Sequence, residues 1–239
     1  MSSLGRALVG GSNNNTSTKQ ATLPGSVLSP SQYVQSGIVN VFVGRKRKEF
    51  AIYRDLLSVK SPFFAAKLKK DWNNDKNEIC LENEDPDAFS ALVDWMFSGK
   101  LPDFYSERTT TSIASVTAFY KLADFLLMPT AKNDLIDHVV NHHRAMNRHY
   151  TFHHLSYVWG IHAVETPFLK MVLHSIIKNL VVRTDDVYQL EYLREYPDLM
   201  LLVIRYHIEY NKRPWARIWE NPRCDYHDHS DGSKCVPKL

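Results

Sequence analysis

A chain of 239 residues has room for one large domain or two small ones, and with 44% hydrophobic and 23% charged residues it can build a packed core. A formal charge of +3 demands neither a nucleic-acid nor a membrane partner, and the longest apolar run, Leu199-Met200-Leu201-Leu202-Val203-Ile204, is far short of the roughly 20 residues of a membrane span. Three cysteines, one far from the other two, speak against a disulfide scaffold and for a reducing compartment, cytoplasmic and/or nuclear. Residues 1–30 are rich in Ser, Asn, Thr and Gly, lack an apolar period and contain no continuous apolar core of a secretory signal. They are expected to be disordered, because such a segment buries too little apolar surface to offset chain entropy.

Order is expected from Ile38. Val39-Asn40-Val41-Phe42-Val43 and Phe50-Ala51-Ile52-Tyr53 read as two strands of a hairpin around the basic turn Gly44-Arg45-Lys46-Arg47-Lys48. Asp55 is placed to cap a short helix through Leu56, Leu57 and Val59. Ser61, followed by Pro62, caps a second whose buried face is Phe63, Phe64 and Leu68. Glu78-Ile79-Cys80-Leu81 reads as a third strand, with Cys80 a buried, inert thiol. The best-specified helix has Asp85 as cap, Pro86 at its first position and Gly99 as its stop. Phe89, Leu92, Val93, Met96 and Phe97 form its apolar face. Ile113, Val116, Tyr120, Ala123 and Leu127 line the next helix, which ends at Pro129, and Thr130 caps another that buries Leu135, Ile136, Val139 and Val140. Beyond residue 150 the chain reads as helical. One helix starts at Thr166-Pro167 and buries Phe168, Leu169, Val172 and Leu173, and one starts at Pro197 and runs through Leu201, Ile204 and Ile208.

Taken together, Ile38 to Gly44, Phe50 to Leu57, Ser61-Pro62-Phe63-Phe64, Asp85-Pro86-Asp87-Ala88-Phe89, Trp95-Met96-Phe97-Ser98-Gly99 and Phe119 to Asp124 resemble the BTB/POZ domain, in the style of its fungal members. Many weak positions agree in order and spacing over residues 36–145. The resemblance implies an α+β fold, a small mixed sheet flanked by helices; beyond it the residues themselves read as an all-α extension over 150–220 and a Cys/His-containing tail over 221–239. It also implies a protein-interaction module, an adaptor or oligomerisation scaffold, rather than an enzyme. Dimerising members carry an apolar helix ahead of the first strand. Only Gln32-Tyr33-Val34-Gln35 stands there, so the expectation is a monomer or a weak homodimer. Two alternatives remain. One is a substrate adaptor that binds a cullin scaffold, for which Tyr105-Ser106-Glu107 is a weak hydrophobic-x-Glu element. The other is a nucleic-acid-associated regulator using the Cys/His tail and Arg45 to Lys48, although the plainer reading of that basic run is a solvated turn.

No Gly-rich phosphate loop, nucleophile elbow or His-Glu-x-x-His pattern is present. The sharpest chemical constellation is Cys224, His227, His229 and Cys235. Two thiols and two imidazoles suit a tetrahedral structural zinc ion. A Cys224–Cys235 disulfide and a polar tail with no ligand are the other readings. The pairs His138/His142 and His149/His153 are spaced to share helix faces and are expected to be exposed. Tyr150, Phe152, Tyr157 and Trp159 are read as core rather than as a binding groove.

Overall fold

Alternation of apolar residues in the first strand sets the centre of the fold. In the computed structural model, which describes residues 30–69, 77–105, 111–162, 164–180, 191–214, 220, 223–230, 232 and 235, strand β1 (Ile38–Val43) lies between β2 (Lys48–Tyr53) and β3 (Glu78–Leu81). It pairs antiparallel with β2, Ile38 opposite Tyr53 and Val43 opposite Lys48, and parallel with β3, Asn40 opposite Glu78 and Val43 opposite Leu81. Val39, Val41 and Val43 therefore share one face and are fully buried, joined by Ile52, Ile79 and Leu81. Cys80 points the other way. It is exposed, not buried as expected, because the period of two that hides Ile79 and Leu81 turns the residue between them outward. The hairpin turn needs Gly44. Its φ is +73°, and a Cβ there would meet Cγ of Pro86 at 2.8 Å, so the turn sits directly against the start of a later helix.

A short helix, α1 (Pro30–Val34), precedes the sheet, and α2 (Arg54–Lys60) and α3 (Pro62–Lys67) follow β2. Asp55 does not cap α2. The helix begins one residue earlier, at Arg54, and the Asp55 N–H instead donates to Oγ of Ser36 at 3.0 Å. Ser61 does cap α3, accepting from the Phe64 N–H at 3.3 Å. It also donates to the Leu126 carbonyl at 2.7 Å, so one buried hydroxyl serves two elements. Phe64 and Leu68 are buried, whereas Phe63 is only partly covered.

Helix α4 (Pro86–Ser98) follows its sequence signals closely. Asp85 Oδ1 accepts from the N–H groups of Asp87 and Ala88 at 2.7 and 3.3 Å, and Gly99 ends the helix at φ +67°. Phe89, Leu92, Trp95 and Met96 are buried. Phe97 is the exception, 54% exposed with its ring edge-on to Tyr53 at 6.2 Å. At ~100° per residue it stands about 80° round the helix from Phe89, off the buried stripe.

Helix α5 (Thr111–Phe125) packs on α4 and α6 (Pro129–Met146) packs on α5, and Nε1 of Trp95 on α4 donates to Asp134 of α6 at 2.9 Å. Thr130 is not the cap of α6. The helix already starts at Pro129, whose fixed φ suits the first helical position, and Met128 holds the capping place without a side-chain bond. The extension consists of α7 (Phe152–His162), α8 (Pro167–Leu180) and α9 (Pro197–Lys212). Thr166 Oγ1 accepts from the Leu169 N–H at 3.1 Å to open α8. On α9 the buried residues are Leu199, Leu202, Val203, Tyr206 and Tyr210, while Leu201, Ile204 and Ile208 face outward. One hydrophobic core runs from the sheet to the extension, with the rings of Tyr120 and Phe168 stacked at 5.2 Å. Among the described residues no helix is long and apolar enough to cross a membrane. The expectation of disorder for residues 1–30 lies, up to residue 29, outside the described residues.

Candidate functional site

The surface that remains after the core is closed offers apolar faces and one acidic groove. On the sheet-bearing half, Phe97 and Ile38 are exposed beside the half-buried Tyr53, which pairs with Ile38 across the hairpin. On the extension, Leu201, Ile204 and Ile208 recur at helical spacing along the outer side of α9, Leu201 being 66% exposed. Between α4 and α5 lies an open groove of about 560 Å³, lined by Asp85, Asp87, Asp94, Asp103, Phe104 and Tyr157 among others. Tyr157 was expected in the core; it is the aromatic of its group that reaches this groove, while Tyr150 and Phe152 are buried.

Two residues of the basic turn, Arg47 and Lys48, have partners on the protein itself, while Arg45 and Lys46 are exposed. Arg47 lies over the Phe42 ring at 4.5 Å with Nη1 3.4 Å from the Cys80 sulfur, and Lys48 pairs with Asp87 at 3.5 Å. Of the hydrophobic-x-Glu element, Tyr105 is turned inward, its ring stacked on His142 at 3.6 Å; Ser106 and Glu107 lie outside the described residues. His138 and His142 are thus half-buried against Tyr105 rather than exposed, and burial lowers the pKa of both. His149 and His153 do not share a helix face, because α7 begins only at Phe152. The residue that sequence spacing passed over is His143. It is buried against Tyr150, ring centroids 4.4 Å apart, and burial pushes its pKa down to about 4 despite a bond to the Arg148 carbonyl.

The tail folds back onto the molecule. Residues Arg223–Tyr226 form a single 3-10 turn that packs on α6 and α8. Tyr226 is fully buried, and its hydroxyl is 2.9 Å from Nδ1 of His174. Asp228 pairs with Lys132, and its backbone N–H and carbonyl both bond the Asn133 side chain, at 2.7 and 2.8 Å. Lys132 is buried and also meets Asp124 at 2.6 Å. Burial opposes the charge on each member of the Lys132–Asp228 pair. The hydrogen bonds win, raising the lysine and, with help from Ser230, holding the Asp228 carboxyl at about 2.

These contacts bring the predicted ligand residues together. A sulfur or ring nitrogen from each of Cys224, His229 and Cys235 lies within 4.8 Å of the others. The two sulfurs lie within bonding reach of each other, as in the disulfide reading, with Cα atoms 6.2 Å apart. His229 Nε2 is 3.3 Å and His227 Nδ1 3.0 Å from the Cys235 sulfur, and the other nitrogen of His227 faces Asp137 Oδ1 at 3.3 Å.

A mixed sheet ordered β2-β1-β3, a capped α4 and packed α5 and α6 carry the pattern read from the sequence, and the model of the BTB/POZ domain family matches residues 35–143. Those residues are a BTB/POZ domain. Solved structures match as well, among them the BTB (Tramtrack and Bric a brac) domain of human gigaxonin, at 19% identity and a TM-score of 0.35, over 49% of this chain and 98% of that one. No curated protein matches the chain. The BTB/POZ domain is a protein-interaction module. Its match ends close to the end of α6, so α7 to α9 and the Cys/His tail lie outside it.

Proposed function

We propose that the chain works as an adaptor whose BTB/POZ domain and helical extension each engage a different protein. The observation that carries this reading is the pair of exposed apolar faces: Phe97 with Ile38 and Tyr53 on the domain, and Leu201, Ile204 and Ile208 on α9. Interior packing needs neither face, since each helix has a separate buried stripe. An apolar row at helical spacing, rimmed by charge such as Arg205 and Glu209, is the form of a docking surface that excludes water on contact. The acidic groove beside α4 favours a basic segment on the first partner. Among the described residues the helix ahead of β1 spans only Pro30–Val34, with Val34 largely exposed, and the protein is expected to be a monomer or a weak homodimer.

The test uses the full chain in cells, with in vivo crosslinking and mass spectrometry on three forms: the wild type, Phe97→Glu and Leu201→Glu/Ile204→Glu. An adaptor loses one set of partners with the first variant and a different set with the second. Loss of one common set from both, or of none from either, would refute the two-face reading. A cullin among the partners lost with Phe97→Glu would narrow the function to a ubiquitin-ligase adaptor.

A further inference from the structure

We infer that Cys224, His227, His229 and Cys235 bind one zinc ion, and that this ion is a clasp joining the BTB/POZ domain to the helical extension. The donor chemistry is two thiolates and two imidazoles, the set that zinc takes in closed, four-coordinate structural sites. With Zn–S near 2.3 Å and Zn–N near 2.0–2.1 Å, tetrahedral ligand atoms stand roughly 3.3–3.8 Å from one another. Both imidazoles already approach the Cys235 sulfur to about that range, at 3.0 and 3.3 Å, and three of the donors fall within 4.8 Å of one another. The Cα separation of Cys224 and Cys235, 6.2 Å, accommodates two thiolates on one ion as well as a disulfide.

What favours the ion is the orientation of His227. Its Nδ1 faces the sulfur, while its Nε2 faces Asp137 on α6, a residue 90 positions earlier in the chain. A carboxylate at Nε2 holds the proton there and leaves the Nδ1 lone pair directed at the cluster, which is how a metal-binding imidazole is fixed in its tautomer. A disulfide would join the two sulfurs without calling for either imidazole or for Asp137. Binding displaces two thiol protons and changes no oxidation state.

The clasp has a mechanical meaning because of what surrounds it. On one side, Asp137, Asn133 and Lys132 of α6 hold His227 and Asp228. On the other, His174 of α8 holds Tyr226. An ion that rigidifies residues 224–235 therefore ties the last helix of the domain to the central helix of the extension.

The experiment takes the untagged full chain, reduced, stripped of metal and titrated with zinc, then with cobalt as a spectroscopic substitute. The expected result is one equivalent of zinc, and with cobalt the thiolate charge-transfer and intense visible bands of a tetrahedral S2N2 site. Hydrogen exchange should slow on zinc addition both in residues 223–230 and in α6 around Lys132 to Asp137. Asp137→Asn, which leaves all four ligands in place, should weaken zinc binding about 10–100-fold. Cys224→Ser/Cys235→Ser should abolish it. Absence of stoichiometric binding in the reduced wild type would overturn the proposal. So would full zinc binding in the double serine variant, or protein isolated from cells 2 Da light and metal-free through a Cys224–Cys235 bond. Unchanged affinity in Asp137→Asn would remove the role given to that carboxylate.

Discussion

Helix α4 and the tail from Arg223 to Cys235 are held in opposite ways. Helix α4 carries its own instructions, with Asp85 and Pro86 at one end, Gly99 at the other and a stripe of large apolar residues between them. The tail has one buried ring, Tyr226, and is otherwise fastened by polar bonds to partners about 50 to 100 residues away in sequence. The difference decides what a substitution does in each place. Removing apolar bulk from α4 is expected to weaken the whole cooperative unit, whereas removing an anchor of the tail is expected to release that segment with the sheet still folded.

The comparison is sharpest for Phe89→Ala. This change opens a cavity beside Phe50 and Phe64, whose rings lie 4.9 and 6.5 Å away, and should cost about 3–5 kcal/mol. In calorimetry that is a melting temperature lower by roughly 10 °C for a chain of this size; an unchanged value would mean the face is not buried. Tyr226→Ala should remove about 3 kcal/mol of local stability. Its signature is different: fast hydrogen exchange in the tail and in the neighbouring turns of α6 and α8, with β1 still protected. Uniform loss of protection across the sheet would show that the tail is part of the global fold.

Acidification probes the helical half. His143 and His174 are both buried and held near about 4 by burial, against 6.5 for a free imidazole. The unfolded chain thus binds their protons first. The stability they contribute as neutral groups is complete above pH 6.5 and is lost as pH falls toward 4. The urea midpoint should drop between pH 7 and pH 5 by the equivalent of about 4 kcal/mol, roughly 2 from each imidazole. His143→Phe should roughly halve that slope, leaving the part due to His174, and an identical slope in the variant would remove His143 from the account. Smaller still is Asp85→Ala, about 1 kcal/mol for the lost cap, read from the same midpoint at neutral pH. Phe97→Glu should change the stability of the isolated protein by no more than ~0.5 kcal/mol, since its ring is mostly in water.

What could be read from the sequence follows the same division. The three strands, the caps at Ser61, Asp85 and Thr166, the buried face of α6 and that of α5 up to Ala123 are written in local spacing, and the fold follows from them; Leu127, expected on the α5 face, is 55% exposed because the helix ends at Phe125 and the chain turns at Leu127 with φ +56°. Phe97 was misread because it adjoins Met96, which does complete the stripe, and its rotation of about 80° from Phe89 is easily taken for the same face. The misplacements of Asp55 and Thr130 are shifts of one or two positions, where a proline or an adjoining strand decides the first turn. The four tail residues could be chosen from their chemistry. Nothing near them in sequence names Asp137, Lys132 or His174, which reach them only through the packing of α6 and α8. The inward turn of Tyr105 onto His142 is of the same kind, a contact between loop and helix that no periodicity encodes.

The stacking of Tyr120 on Phe168 has a practical consequence for anyone dissecting this protein. A chain cut after Met146 would keep every residue of the BTB/POZ match and still expose Tyr120 and its neighbours to water where α8 had covered them. Such a fragment is expected to self-associate through that bared surface, and an oligomer measured on it would report the scissors rather than the molecule. Point changes in the intact chain, rather than truncations, are the way to assign its partners to one half or the other.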